Sequence, residues 1–365
     1  MKDMEFRHGT YGEDVPPLLD LVERAEPELR GADQLRWATL LREESNDLRA
    51  ALEWATNNDL RTALLLVAGL STFWWMHGLR AEAARAARGV LDALGPTIPH
   101  GLGEEYLLAV LHAAGSANPA EVERAQNATG RRFQRPVTVL LWSFVLGPFQ
   151  PARLVTDVLA ANERSGDAWG RAAVQLCRGY PSLAEDDPAG SERALQNALA
   201  RFRLIGDRWG SALALDALAD LAANSSRAEL AVDLLGQALA IADELGTDER
   251  AALVLCRRGD LRLGLGDPAA ARADYTRALE LGLKAGLPET SAAARIGLAR
   301  AARYAGDLSS AREYALAALP DGDTDWAGAD LAKAEALAEL AKAEGVSATT
   351  SGGPRRISGG WLESG

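Results

Sequence analysis

A repeat of forty residues runs through the second half of the sequence and constrains its fold more than any other feature. Four glycines mark the starts of the units: Gly166, Gly206, Gly246 and Gly286. Counted from them, three columns keep one residue type: Ala172, Ala212, Ala252 and Ala292; Ala198, Ala238, Ala278 and Ala318; and Leu199, Leu239, Leu279 and Leu319. A fourth column is always small: Gly179, Ala219, Gly259 and Ala299. A fixed period of this size is typical of stacked helical hairpins, whose apolar faces are buried only when neighbouring units pack together.

Each unit contains two apolar helical stretches separated by a short polar break. The breaks are Asp186-Asp187-Pro188, Asn224-Ser225-Ser226, Gly266-Asp267-Pro268 and Gly306-Asp307. Proline is tolerated in the first turn of a helix, and glycine suits the left-handed residue that ends one. The chain is 48% hydrophobic but only 6% aromatic, and its abundant alanine and leucine favour helix. An irregular helical bundle is the alternative, and the fixed spacing argues against it.

The third unit resembles the tetratricopeptide pattern. The positions that match are Leu255, Gly259, Gly266, Ala271, Tyr275 and Ala278. The unit lacks the proline that follows the second helix in that family, and it is longer than the usual repeat of about 34 residues. We therefore expect an all-α, tetratricopeptide-like solenoid of helical hairpins, a right-handed superhelix of about seven helix pairs.

Outside these units the period weakens, although apolar helices still alternate with polar breaks. The sequence divides into a lead-in at 1–33, divergent helical repeats at 34–165, four 40-residue tetratricopeptide-type repeats at 166–325, a capping helix at 326–344 and a disordered tail at 345–365. In the divergent part, residues 34–57 are expected to form one long helix. The tail is assigned as disordered because it is rich in glycine, serine, threonine and proline.

The charge of the chain argues against one class of partner. With 39 basic and 51 acidic residues, the net charge is −12, so a nucleic-acid or anionic-membrane surface spread over the whole chain is not expected. No apolar run reaches the ~18 residues that span a bilayer, and the polar Met1–Thr10 does not form a signal peptide. Cys177 and Cys256 lie in apolar helical stretches without a CxxC motif, which favours a reduced, cytoplasmic protein.

The sequence offers no motif for catalysis. It contains no GxxxxGK[ST] phosphate loop, no GxSxG elbow and no HExxH metal motif. The four histidines are scattered and do not have the spacing of metal ligands. We therefore expect no catalytic, cofactor or metal site, and a protein that acts by binding; an enzyme with an unrecognised site is the remaining alternative.

In stacked tetratricopeptide units, the first helix of each hairpin lines the concave face, where we place the binding groove. The repeat register assigns eight residues to this groove: Tyr180, Asp216, Asp220, Asn224, Asp260, Arg300, Arg303 and Tyr304. Their charges run from acidic in the middle units to basic in the last, which suits a peptide or protein segment of mixed charge. The alternative is an ordinary solvated face without a specific ligand.

Four further motifs resemble those of a known family. Residues 43–55 (EESNDLRAALEWA) resemble the E-x-x-N-L-R-A-A-L-x-W-A helix of large actinobacterial regulators, and Phe73-Trp74 with Gly78 resembles the step that follows it. Residues 25–34 fit the preceding segment, and Gly-Asp-x-Trp-Gly at 166–170 and 206–210 fits the repeats that follow. Together they are similar to the C-terminal sensor region of AfsR/SARP-type transcriptional activators and related STAND-class regulators. Asn46-Asp47-Leu48 departs from that pattern, in which leucine directly follows asparagine.

The resemblance implies a function. In such regulators a DNA-binding winged helix, a bacterial activation domain and a P-loop ATPase precede the repeats, which receive a signal or partner and restrain the upstream parts. This chain would then be the C-terminal sensor part of a regulator of secondary metabolism, such as antibiotic biosynthesis. Its partners would be its own upstream domains or a partner peptide, with a small molecule as a further candidate signal. A standalone scaffold that bridges other proteins is the alternative, and homodimerisation through the N-terminal end stays open.

Overall fold

The protein is built from helices. A computed structural model describes residues 11–180, 187–319 and 329–343, and every regular element within them is helical. The α-helices are α1 Tyr11–Glu28, α2 Gln34–Glu43, α3 Ser45–Asn58, α4 Leu60–Met76, α5 Arg80–Leu94, α6 Gly103–His112, α7 Pro119–Thr129, α8 Pro136–Val145, α9 Ala152–Ser165, α10 Ala168–Gly179, α11 Pro188–Ile205, α12 Arg208–Asn224, α13 Ala228–Leu245, α14 Asp248–Gly264, α15 Pro268–Lys284, α16 Pro288–Tyr304, α17 Leu308–Ala317 and α18 Ala329–Ala343. The tail at 345–365, the first ten residues of the lead-in and the start of the capping helix lie outside the described residues.

The forty-residue period of the sequence reappears in the helix boundaries. The first helix of each repeat, here called the A helix, begins at Ala168, Arg208, Asp248 or Pro288. The second, the B helix, begins at Pro188, Ala228, Pro268 or Leu308. Both series advance by forty residues, and seven helical hairpins follow one another from α4–α5 to α16–α17. The expected all-helical hairpin architecture is therefore confirmed.

Glycine and aspartate set the helix ends in these repeats. Gly206, Gly246 and Gly286 have positive φ values of 83°, 64° and 67°, the left-handed conformation that glycine adopts without a Cβ clash. Gly166 differs, because it is extended with φ −69°. At the start of α15, the Asp267 carboxylate accepts a hydrogen bond of 3.0 Å from the backbone N–H of residue 270, which satisfies one of the free amides of the first turn.

Small residues allow close helix packing from the second to the fourth repeat. Ala238 and Ala278 are fully buried. The ring of Tyr275 on α15 lies against two A helices: a Cβ added at Gly259 of α14 would approach it to 2.7 Å, and one added at Gly297 of α16 to 2.3 Å. Side chains larger than hydrogen at both positions would displace the ring, so the glycines create the space that Tyr275 fills.

The divergent part differs from expectation at one boundary. Instead of one helix over residues 34–57, α2 ends at Glu43 and α3 begins at Ser45, with Glu44 between them at φ −87° and ψ 7°. Six consecutive polar residues, 42–47, separate the buried Leu41 from the buried Leu48. Serine, asparagine and aspartate compete for backbone hydrogen bonds and favour helix ends over helix interiors.

The lead-in is part of the core. Helix α1 packs against α3 and α4 and buries Val15, Leu18, Val22 and Ala25 along one side. Val22 rests on Gly69 of α4, where an added Cβ would lie 2.3 Å from its Cγ1 atom. An apolar residue every three or four positions is the period of an amphipathic helix, so α1 covers the first hairpin.

The chain divides into two compact units. Unit 1 comprises Met1–Glu185 and Asn197–Gly210, and unit 2 comprises Asp186–Gln196 and Ser211–Gly365. Unit 1 holds the divergent hairpins, while unit 2 holds the third and fourth repeats and α18. None of the helices in the described ranges combines the length and the apolar character that crossing a bilayer requires.

Candidate interaction surfaces

Oppositely charged side chains connect successive A helices in unit 2. Five of the eight groove candidates take part: Asp216 and Asp220 on α12, Asp260 on α14, and Arg300 and Arg303 on α16. We call the set of Asp216, Asp220, Arg250, Arg257, Asp260, Arg300, Arg303, Glu335 and Glu339 the inter-helix charge network. It runs from α12 through α14 and α16 to α18.

At the start of the network, two aspartates of α12 meet two arginines of α14. Arg250 donates to Asp216 Oδ2 at 2.8 Å and Arg257 to Asp216 Oδ1 at 2.5 Å. Arg257 also pairs with Asp220. Burial raises the pKa of Asp220 to about 6 against the opposing effect of the Arg257 charge, and the neighbouring Asp216 carboxylate adds to the rise. The site is thus compact, desolvated and sensitive to proton uptake.

In the middle of the network, Asp260 joins three helices. The Tyr275 hydroxyl of α15 donates to Asp260 Oδ1 at 2.6 Å, and Arg300 of α16 reaches the same oxygen at 3.3 Å. Burial, followed by the charge of Asp260, raises the pKa of the Tyr275 hydroxyl, which therefore stays a hydrogen-bond donor. The tyrosine between Gly259 and Gly297 is held at both its ring and its hydroxyl.

At the end of the network, the arginines of α16 meet the acidic residues of α18. Arg300 lies 3.4 Å from Glu335 and 3.6 Å from Glu339, and Arg303 lies 3.1 Å from Glu339. The Glu339 side chain is only 4% exposed and also pairs with Lys342 at 2.7 Å. Burial would raise the pKa of Glu339, but Lys342 and Arg303 together outweigh it and hold that pKa below its usual value.

The other three candidates have different surroundings. Tyr180 is buried in unit 1, with its ring centroid 4.7 Å from that of Phe144, so it packs in a core instead of facing an open groove. Asn224 is exposed at the end of α12. Tyr304 is 62% exposed, with the Arg303 guanidinium 5.0 Å from its ring centroid. Of the charged candidates, only Asp260 and Arg300 pair with each other. Asp216, Asp220 and Arg303 pair with residues of neighbouring helices that the register did not name.

A second constellation, which sequence reasoning did not anticipate, lies in unit 1. We call it the N-terminal clasp: Glu26, Arg30, Gln34, Asp167, Trp169 and Asp207. Arg30 forms two 3.0 Å hydrogen bonds with the Glu26 carboxylate and a third, 2.9 Å long, with Asp167. Its guanidinium also lies 5.6 Å from the Trp169 ring centroid. The end of α1 is thereby fixed to the start of α10.

Gln34 forms the other half of the clasp. Its fully buried side-chain amide donates to the Leu29 carbonyl and to Asp207, each at 2.7 Å. Its oxygen accepts hydrogen bonds from the backbone amides of Arg208, at 3.0 Å, and Trp209, at 3.2 Å. The start of α2 thus caps the start of α12.

The Gly-Asp-x-Trp-Gly phrases owe their composition to this site. Asp167 accepts from the backbone amide of Gly170 at 2.6 Å, and Asp207 from that of Gly210 at 3.1 Å, so each aspartate caps its A helix. The two tryptophans, Trp169 and Trp209, stack with ring centroids 6.2 Å apart, and the Trp169 indole N–H donates to Asp207. Both phrases and residues 25–34 were visible in the sequence, but pairing them requires knowledge of distant contacts.

Two histidines and both cysteines are largely buried, and burial shifts their pKa values. Burial lowers the pKa of His77 to about 4 and that of His112 to about 3, so both are neutral at pH 7. Burial raises the pKa of Cys177 and of Cys256 to about 12, and both are free thiols. No group of three histidine, cysteine or acidic residues in the described ranges has metal-binding geometry. An open polar pocket of about 690 Å³ lies beside Glu105 at the start of α6.

Comparison with known proteins bears on the fold. No protein-family model matches the sequence, and no curated protein sequence matches it. A STAND (signal transduction ATPase with numerous domains) protein with a tetratricopeptide repeat sensor, from Pyrococcus horikoshii, is similar with a TM-score of 0.61 and 13% identity, over 87% of this chain and 50% of that one. BtubC (BKLC) from P. vanneervenii has a TM-score of 0.35 and 15% sequence identity, and the match covers 93% of this chain and 95% of BtubC. A circular tandem repeat protein has a TM-score of 0.20 and 16% sequence identity, and the match covers 92% of this chain and 87% of that protein. This chain spans half the length of the first of these proteins and has the fold of a tetratricopeptide-like helical solenoid.

Proposed function

We propose that this chain is the signal-receiving, protein-interaction module of a cytoplasmic transcriptional regulator, and that it acts by binding and not by catalysis. It restrains or releases ATPase and DNA-binding domains placed before it in the full protein. The regulated pathway, following the resemblance to AfsR/SARP-type activators, belongs to secondary metabolism, such as antibiotic biosynthesis.

The observation that carries this proposal is the fold likeness to a STAND protein described as having a tetratricopeptide repeat sensor, of which the chain matches half. A repeat array presents a long surface for partners, because each unit contacts only its neighbours and leaves the rest exposed. The matched half leaves room in such a protein for domains of another kind.

The clasp gives the proposal a physical route. It joins the end of α1 and the start of α2 to the N-caps of α10 and α12, through side chains that are largely buried. Movement of an A helix in unit 1 therefore changes the hydrogen bonds of residues 26–34. In a two-state balance, a partner that binds the two arrangements with different affinities shifts their populations.

The first test is the size of the natural protein. An antibody raised against this chain is used to probe a lysate of its host. A band at two to three times 38.7 kDa supports a module of a larger regulator. A band near 38.7 kDa contradicts the proposal and supports the alternative, a standalone tetratricopeptide scaffold.

The second test concerns restraint itself. The upstream portion of the regulator is assayed for binding to its promoter DNA with increasing amounts of this chain added in trans. We expect DNA binding to fall as the chain is added, and the Arg30→Gln/Gln34→Ala clasp variant to inhibit less. Unchanged DNA binding at a large excess of the chain would rule out restraint.

A further inference from the structure

Helix α18 occupies the place of another A helix. It packs against both α16 and α17, as α16 packs against α14 and α15. Among the described side chains of α18, the buried ones are Ala332, Ala336, Glu339 and Ala343, which lie on one face because their spacing is four, three and four residues. This face of α18 therefore covers the side of α16 and α17 that no further repeat covers.

Among the described side chains, the contact between α18 and the last hairpin consists mainly of alanine. It buries Ala292, Ile296, Ala318, Ala332 and Ala336, with the partly buried Leu319 beside them, and a smaller cluster of Ala302, Ala311 and Ala343. The preceding interface, by contrast, buries Tyr275 with Leu263 and Leu298. Since hydrophobic stabilisation grows with the apolar area removed from water, α18 is held less firmly by packing than the helices before it.

Charge supplies what packing lacks. The Glu339 carboxylate is nearly inaccessible and faces Arg300, Arg303 and Lys342 within 3.6 Å. Arg300 and Arg303 are themselves 31% and 26% exposed. Removing α18 would leave both arginines on an alanine-lined surface, complementary to any helix that carries glutamates in the same positions.

We propose that α18 is a displaceable cap, and that the surface of α16 and α17 beneath it binds an acidic, alanine-rich amphipathic helix of a partner protein in its place. The proposal rests on the proposed binding role of the repeats and names the chemistry of the partner. The partner helix presents small residues to the alanines of α16 and α17 and carboxylates to Arg300 and Arg303.

The test uses the full chain and a fluorescent peptide of residues 329–343. In the Glu335→Gln/Glu339→Gln chain we expect hydrogen exchange of α18 to accelerate and the peptide to bind at least ten-fold more tightly than to the unaltered chain. Adding Arg300→Gln/Arg303→Gln abolishes this binding. The control is Glu229→Gln/Glu280→Gln, which removes the same charge from exposed positions and leaves both readouts unchanged.

Three results would overturn the proposal. Exchange of α18 that does not change in the Glu335→Gln/Glu339→Gln chain shows that charge does not hold the cap. Accelerated exchange without peptide binding shows that the uncovered surface does not accept a helix. Equal binding to the unaltered chain shows that the peptide uses another surface. None of these depends on whether the chain regulates transcription, so a failure here is distinct from a failure of the proposed function.

Discussion

Gln34 links three separate segments of the chain through one buried amide. It is the only residue of the clasp that both donates to Asp207 and accepts from the amides that follow it, Arg208 and Trp209. A buried amide that loses its acceptor cannot turn to water, so the cost of removing Gln34 exceeds that of an ordinary hydrogen bond.

We expect Gln34→Ala to lower the free energy of unfolding of unit 1 by about 2–4 kcal/mol, because two backbone amides, the Leu29 carbonyl and one carboxylate oxygen lose a buried partner. Urea unfolding followed by tryptophan fluorescence measures this, since Trp169 and Trp209 adjoin the site. Gln134→Ala, at an exposed position of unit 1, is the matched control. Equal stability of the two variants would mean that water replaces the Gln34 side chain.

Asp220 predicts a dependence on pH. Its pKa is raised to about 6, chiefly by burial, so between pH 7 and 5 the folded protein takes up a proton that the unfolded chain does not bind. The free energy of unfolding of unit 2 therefore rises as the pH falls through this window, and Asp220→Asn removes that rise. Unfolding at a series of pH values measures the slope, with Asp233→Asn at an exposed position as the control. A slope that survives in Asp220→Asn would contradict this assignment.

At the scale of the helices, the packing of α14, α15 and α16 depends on two glycines, Gly259 and Gly297, which have no side chain. Tyr275 fills the space at Gly259 and Gly297, and its ring has no free direction in which to move because its hydroxyl is bonded to Asp260. Overpacking of such a contact forces shifts of side chain or backbone.

Gly297→Ala should therefore destabilise unit 2 by about 1–3 kcal/mol, despite the higher helix propensity of alanine. Gly264→Ala tests the opposite case, because an added Cβ there meets nothing within 4 Å; it should be neutral or stabilise by about 0.5–1 kcal/mol. Thermal unfolding by circular dichroism compares the two. Combining Gly297→Ala with Tyr275→Leu should cost less than the sum of the single changes, and additivity would show that the ring is not the obstacle.

The sequence predicted the elements well where one signal dominated. The helices Leu60–Met76 and Pro119–Thr129 begin where an aspartate cap or a proline stands in the sequence, and they end at a polar break. It failed at residues 34–57, where apolar periodicity continues through the polar segment at Glu44. It also did not predict the packing of α1, because the sequence alone does not show that Val22 lies against Gly69 of α4.

The candidate site was less predictable than the fold. The register identified charged positions on the A helices, including Asp216, Asp260 and Arg300, but not their partners on neighbouring helices. Such pairs depend on side-chain reach across an interface, which periodicity does not specify. The clasp was harder still to predict from the sequence, because Gln34 and Asp207 are 173 residues apart.

At the scale of the whole molecule, the two units should respond to substitution separately. Each has its own buried core, and stability in repeat proteins is close to a sum of local terms. We expect Gln34→Ala to accelerate hydrogen exchange only in α1, α2, α10 and the first turn of α12, where Gln34 caps the helix, and Gly297→Ala to do so in α14, α15 and α16 only. Mass spectrometry of peptic fragments resolves these regions. Acceleration throughout the chain by either change would show a single cooperative block.

The forty-residue spacing makes the repeats interchangeable in backbone but not in charge. Excising residues 247–286 would join Gly246 to Leu287 and preserve the phase of every following helix. Yet the position of Arg257, which pairs with Asp216 and Asp220, would then be taken by Gly297. A gene can thus gain or lose whole repeats without disturbing the spacing of the helices. The charged side chains, by contrast, pair only with those of a particular neighbouring helix, and so they favour one order of the repeats. A newly duplicated repeat would place charged side chains beside helices that lack their partners, and later substitutions would have to restore complementary pairs.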